Sequence, residues 1–140
     1  MADRALGIAK AYMSEREAFD ENLSEKQAQR FELAERETQL HAARTMVRHA
    51  AEKIAQGEEA RIEVAMSKYF TANVVQETID FALQACGGAG ISQHLPLADF
   101  YKANRAFRIV DGADEVHKRS IARAAFEDVP EDELANLPRF

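Results

Sequence analysis

The densest run of groups able to do chemistry is Asp111-Gly112-Ala113-Asp114-Glu115-Val116-His117, three carboxylates and an imidazole in one short stretch. A carboxylate on a tight turn can abstract a proton when a dry site raises its pKa. The same stretch has a plainer account. Asp-Gly is a common turn dipeptide, an aspartate ahead of a helix commonly caps it, and the helix macrodipole favours anions over the first turn. By spacing alone, Asp111 is a turn residue that caps a helix.

Other candidates are weaker. A di-iron carboxylate site needs two Glu-x-x-His pairs and two further inward glutamates. Asp114-x-x-His117 is the one near relative, and Glu37 and His41, four apart, have no second pair. These read as solvated charge, and no metal is expected. Ser67 lies mid-helix rather than on a nucleophile elbow. Cys86 falls near a helix C-terminus, the wrong end to stabilise a thiolate, and reads as a buried structural cysteine. The cluster Gly87-Gly88-Ala89-Gly90 follows no strand and lacks the GxGxxG spacing of a dinucleotide fingerprint. It reads first as a helix stop, and second as a place where backbone can approach a ligand or a second chain.

The elements that must position these residues are helical. Leu6, Ala9 and Met13 recur at helical spacing from Ala2 to about Phe19. Asp20-Glu21-Asn22 interrupts that pattern. Ser24 starts a second helix, with Gln27 completing a capping box, that runs to about Gln56 with Phe31, Leu33, Leu40, Val47 and Ile54 on one broad face. Gly57 ends it. A third helix over about Glu58 to Ala85 carries Val64, Met66, Tyr69, Phe70, Val74, Phe81 and Leu83, and is expected to be the most buried. After the glycine cluster come a loop ending at Pro96, a short helix through Phe100 and Tyr101, the Asp111-Gly112 turn, and a final helix from about Ala113 to Phe126. Four substantial helices with short connections predict an all-α, up-and-down four-helix bundle over 1–126. Residues 127–140 form an acidic tail with two prolines, expected to be extended or mobile.

Composition narrows the function classes. The 140 residues suffice for one domain, with 46% hydrophobic and 30% charged residues. A net charge of -6 argues against a nucleic-acid partner. A single cysteine excludes an intramolecular disulfide framework and fits a reducing, cytoplasmic setting. No stretch approaches the roughly 20 apolar residues of a membrane span, and MADRALGIAK lacks the layout of a secretory signal.

Several motifs fall in one order: S-E-R-E-A-F (Ser14 to Phe19), Lys26-Gln27, Ala42-Ala43-Arg44, A-M-S-K (Ala65 to Lys68), A-L-Q-A-C-G-G-A-G (Ala82 to Gly90), R-I-V-D-G-A-D-E-V-H (Arg108 to His117) and I-A-R (Ile121 to Arg123). Together they resemble the C-terminal helical domain of acyl-CoA dehydrogenases, up to about Glu127. The D-G-x-D-E-V-H form resembles a subgroup with aspartate where the family usually has glutamate. The resemblance implies removal of hydrogen from the α and β carbons of an acyl-CoA thioester, with FAD as hydride acceptor. It makes Asp111 the base and sets the backbone of Gly112 against the thioester. It also implies flavin contacts from Arg16, Phe19, Gln27, Gln84, Gly87 and Gly88 across a subunit interface, and from Ala113, Asp114 and Glu115 within the subunit.

The chain departs from the family pattern at Lys102-Ala103, at Ala113 where a threonine is usual, and at Asp20 where a glycine is common. The family's N-terminal helical and central β domains have no counterpart in these residues. The chain is therefore expected to be part of a flavoenzyme that assembles as a homo-oligomer or with a partner supplying those domains. Alone, it is expected to bind FAD weakly or not at all and to turn over no acyl-CoA. The alternative is a non-catalytic helical interaction module of the same descent.

Overall fold

A computed structural model describes residues 1–127 and 129–130. The expected acidic tail falls almost wholly outside the described residues. The elements run α1 (Ala2–Glu15), β1 (Glu17–Ala18), β2 (Glu21–Asn22), one 3-10 turn (Leu23–Glu25), α2 (Gln27–Ala55), α3 (Arg61–Cys86), α4 (Gly88–Ile91), α5 (Leu97–Ala106) and α6 (Asp114–Glu127).

Ion pairs report the helix directions. Asp3 pairs with Arg44 and Lys10 with Glu37, so α1 and α2 are antiparallel. Arg36 pairs with Glu77 and Lys53 with Glu63, so α2 and α3 are antiparallel. Asn73 meets Asp114, and Lys118 lies over the Tyr69 ring, so α6 runs back down α3. The four long helices alternate up and down, as the periodicity implies. The central helix is α3, packed against α1, α2, α5 and α6. Its apolar residues lie on more than one face because it has neighbours on several sides.

Among the described residues, two apolar clusters hold the bundle. In one, Ala5, Ala9 and Met13 of α1 meet Ile79, Phe81, Ala82, Ala85 and Cys86 of α3, together with Leu97. In the other, Ala2 and Leu6 meet Leu40, Ala43 and Val74. Alanines at the contacts let the helices approach closely, while each fully buried Leu6, Ile79 or Leu97 contributes about 1.5–3 kcal/mol. Asn104, also buried, donates to the Ala72 carbonyl and to Gln76 Oε1, both at 3.1 Å, and so ties α5 to α3.

Several boundaries differ from the sequence reading. Helix α1 ends at Glu15, and the polar break beyond it is a hairpin. The two residues between its strands, Phe19 and Asp20, have φ of +56° and +64°, the two left-handed residues of a type I′ turn. No capping box opens α2: Lys26 precedes its first turn without a side-chain cap, and Ser24 belongs to the 3-10 turn. The broad apolar face expected on α2 divides, with Leu40 buried but Phe31, Val47 and Ile54 exposed. Val64 and Met66, expected in the buried helix, are exposed too. The α2 stop is as expected: Gly57 N–H donates to the Ile54 carbonyl and Glu58 N–H to that of Lys53, the paired bonds of a Schellman motif around a glycine at φ +78°. Helix α6 starts one residue later than expected and takes in Glu127.

Candidate functional site

The stretch from Arg108 to Asp114 is a closed loop between α5 and α6. The Asp114 N–H donates to the Arg108 carbonyl at 3.2 Å, and Arg108 Nε donates to Asp114 Oδ2 at 2.8 Å. Asn73 Nδ2, from α3, donates to the same carboxylate oxygen at 3.2 Å. Asp114 is only 2% exposed. Burial pushes its carboxyl pKa up, but the hydrogen bonds from Arg108 and Asn73, and the charges of Arg108 and Lys68, outweigh that and hold it below its ordinary value.

Asp111 and Gly112 form the tip of this loop, with φ of +54° and +92°. Asp111 does not cap α6 as its spacing suggests. It stands ahead of the helix, and Asp114 and Glu115 occupy the first turn, where the macrodipole favours them. Lys68 Nζ donates to the Gly112 carbonyl at 2.6 Å, and His117 Nε2 lies 3.3 Å from the Asp111 carbonyl. A Cβ on Gly112 would come 2.8 Å from His117 Nε2, so glycine serves both the backbone angle and the close approach. Asp111 is exposed, and among the described residues no hydrogen bond or ion pair engages its carboxylate.

The other candidates gather at one end of the bundle, where α1 ends, α2 begins and α3 ends. Arg16 and Phe19 lie on the hairpin, Gln27 opens α2, and Gln84, Gly87 and Gly88 lie on and beyond the last turn of α3. All six are exposed. Phe19, at the hairpin tip, is 92% exposed with Lys26 Nζ 5.7 Å from its ring centre. Among the described residues, the Arg16, Gln27 and Gln84 side chains make no hydrogen bond or ion pair. Gly87 stops α3 at φ +55° and ψ −134°, a combination suited to glycine. Gly90 has the sharper steric demand: a Cβ there would lie 2.7 Å from the Leu83 carbonyl oxygen.

The two groups of candidates do not converge. Lys68, at the Asp111 loop, and Gln84, at the bundle end, are separated by about 24 Å of α3 at 1.5 Å per residue. Within the first group, Ala113 is half-buried and Glu115 exposed, while the Asp114 carboxylate is committed inward. Sequence reasoning quoted Lys68, Arg108 and His117 within motifs but gave them no role, and it missed Asn73. No local signal in the sequence could have found Lys68 and Asn73, which lie some 40 residues from the residues they hold. Cys86 is buried, which pushes its thiol pKa up, and Glu37 is held by Lys10.

Comparison with known proteins agrees with this architecture. The family model described as acyl-CoA dehydrogenase, C-terminal domain, matches residues 1–126. Acyl-CoA dehydrogenase family member 11 of Gallus gallus is 39% identical over 124 residues, which cover 87% of this chain and 16% of that protein. The 3-(aryl)acrylate reductase of Clostridium sporogenes is 36% identical over 129 residues, 87% of this chain and 34% of that protein. Among solved structures, butyryl-CoA dehydrogenase from Megasphaera elsdenii superposes with a TM-score of 0.86 at 30% identity, covering 89% of this chain and 33% of that one. Acyl-CoA dehydrogenase from Geobacillus kaustophilus gives 0.85 at 30%, covering 91% and 33%. The chain thus spans about a third or less of the length of these relatives.

Proposed function

The chain belongs to the acyl-CoA dehydrogenase family, as its C-terminal domain, and from that premise we propose that it is part of a FAD-dependent enzyme oxidising acyl-CoA thioesters, with Asp111 as the base. The observation that carries this reading is the placement of Asp111 on a loop fixed to α3 with its carboxylate left open. A non-glycine residue is held in the left-handed region, at a strain of about 1 kcal/mol, on a loop fixed through its backbone. Among the described residues, nothing engages its exposed carboxylate. Asp20 shares this backbone angle, so it is the fixing of the loop from α3, together with the open carboxylate, that supports the reading.

In the proposed reaction, Asp111 takes the α proton of the thioester while the C–H electron pair moves toward the thioester carbonyl. The Gly112 backbone would lie against that group, and the other domains of the complete enzyme would cover the loop and exclude water. FAD, when bound, supplies the acceptor for the β hydrogen and its electron pair. Aspartate reaches about 1.5 Å less far than glutamate, the usual residue at this position in the family, so the loop must bring the substrate correspondingly closer.

The bundle end fits a flavin dinucleotide in the chemistry of its donors. Arg16 offers a guanidinium for a diphosphate, Gln27 and Gln84 offer carboxamides, and Gly87 and Gly88 leave open space where a Cβ would stand. The separation of about 24 Å from the Asp111 loop supports a flavin site shared between copies, each donating its bundle end to its neighbour's cofactor. We therefore read the enzyme as a homo-oligomer. Asp111→Asn tests the proposal, because asparagine tolerates the same backbone angle. In the complete enzyme it should lower turnover by about 10²–10⁴-fold while the flavin spectrum still responds to acyl-CoA. Turnover within about threefold of the parent would remove Asp111 from the role.

A further inference from the structure

We propose that Lys68 is a positioning residue for Asp111, acting through the Gly112 carbonyl on a loop whose two ends are clamped by the Asp114–Arg108 pair. The proposal rests on the reading of Asp111 as base and adds to it the residue that sets where that base stands.

The argument begins with what holds each part of the loop. At its neck, a backbone bond and a side-chain bond both link Arg108 to Asp114, and Asn73 joins the same Asp114 oxygen. The neck is thus anchored to α3 through a carboxylate that is almost fully buried. At the tip, Lys68 takes the Gly112 carbonyl at 2.6 Å, and His117 approaches the Asp111 carbonyl at 3.3 Å. Lys68 and Asn73 both come from α3, the central helix of the bundle. The tip therefore has its height above α3 set by one ammonium, and the neck by one carboxamide.

The target of Lys68 matters as much as its presence. An ammonium paired with the Asp111 carboxylate would cover the group that has to reach the substrate. Lys68 instead binds a neutral carbonyl one residue away, a charge-assisted bond that fixes the backbone and leaves the carboxylate free. The arrangement suits aspartate in particular. Its side chain is short by about one C–C bond, and a misplacement on the order of 1 Å can cost about 10²-fold in rate.

The test uses the complete enzyme carrying this domain, with three variants. Lys68→Met keeps the apolar stem and removes the ammonium, Lys68→Arg restores a donor, and Asp111→Asn reports on the base reading alone. For Lys68→Met, kcat should fall about 10–100-fold with the KM for acyl-CoA within about threefold. Lys68→Arg should recover a substantial part of that loss. Hydrogen–deuterium exchange in the 108–114 peptide should quicken in Lys68→Met and stay unchanged in Asp111→Asn. If Asp111→Asn is inactive but Lys68→Met keeps full kcat, or leaves exchange in 108–114 unaltered, the positioning role is overturned and the base reading stands. A Lys68→Met loss that comes with a lowered melting temperature and no recovery by arginine also overturns it, since that marks a structural lysine. An active Asp111→Asn enzyme overturns the base reading itself.

Discussion

Arg108 and Asp114 face each other across the neck of the Asp111 loop, Nε to Oδ2 at 2.8 Å, with the aspartate buried and the arginine side chain about a third exposed. The asymmetry decides which partner matters more for stability. An arginine that loses its partner can turn to water. Asp114 is committed to protein donors, and one of its oxygens, Oδ1, already lacks a partner among the described residues.

Asp114→Ala should therefore destabilise the domain by about 2 kcal/mol, since it removes two hydrogen bonds from a buried site. Asp114→Asn, which keeps the shape but not the charge, should cost about half of that. Urea unfolding followed by circular dichroism measures both. Equal midpoints for Asp114→Ala and the parent would mean that the neck contributes nothing to the fold.

The same pair carries a pH dependence of defined sign. The folded pKa of Asp114 lies below its unfolded value, so its contribution is present above about pH 3.9 and is lost as pH falls through the folded value. Protection of the 108–114 peptide against hydrogen exchange, corrected for intrinsic rates, should hold from pH 7 to pH 5 and drop below about pH 4. Asp114→Asn should flatten that drop. Parallel losses in parent and variant would assign the acid sensitivity to another carboxylate.

The glycines separate by physical demand rather than by position in a motif. Gly90→Ala places a Cβ against the Leu83 backbone, where α4 meets α3, and should cost about 1–3 kcal/mol. Gly88→Ala has open space and an ordinary backbone angle, so stability should change by less than about 0.5 kcal/mol. Gly7→Ala, exposed within α1 with nothing nearby, should stabilise by about 0.5–1 kcal/mol. Thermal melts of the three variants check this order. Should Gly88→Ala weaken FAD binding while keeping its melting temperature, its backbone belongs to the flavin interface.

How far the sequence could be read depended on whether a feature was periodic or singular. The long helices and the Gly57 stop were legible because apolar spacing and glycine act locally. The capping box of Ser24 and Gln27 was not, because a 3-10 turn takes up Ser24 and starts α2 later. Phe31, Val47 and Ile54 match the helical period as well as Leu40 does, and only tertiary packing leaves them exposed. The Asp111-Gly112 turn could be found in the sequence, but its supports could not. Lys68 and Asn73 come from a helix some 40 residues away in the chain, and nothing in local spacing aims them at the Gly112 carbonyl and Asp114.

The hairpin between α1 and α2 offers a test in which stability and the proposed cofactor contact should move in opposite directions. Phe19 and Asp20 occupy the two left-handed positions of a type I′ turn, where Asn-Gly is the preferred pair. Phenylalanine is a poor choice for that backbone, and its ring is almost wholly exposed, so neither local conformation nor burial accounts for it. A contact with the flavin edge or with a neighbouring copy would account for it. The double variant Phe19→Asn, Asp20→Gly should then raise the melting temperature, reflecting about 1 kcal/mol gained by relieving two strained residues. In the complete enzyme the same change should weaken FAD retention, measured as flavin released on dilution. Unchanged FAD retention would leave Phe19 without a cofactor role, and a lowered melting temperature would show that the ring supports the domain itself.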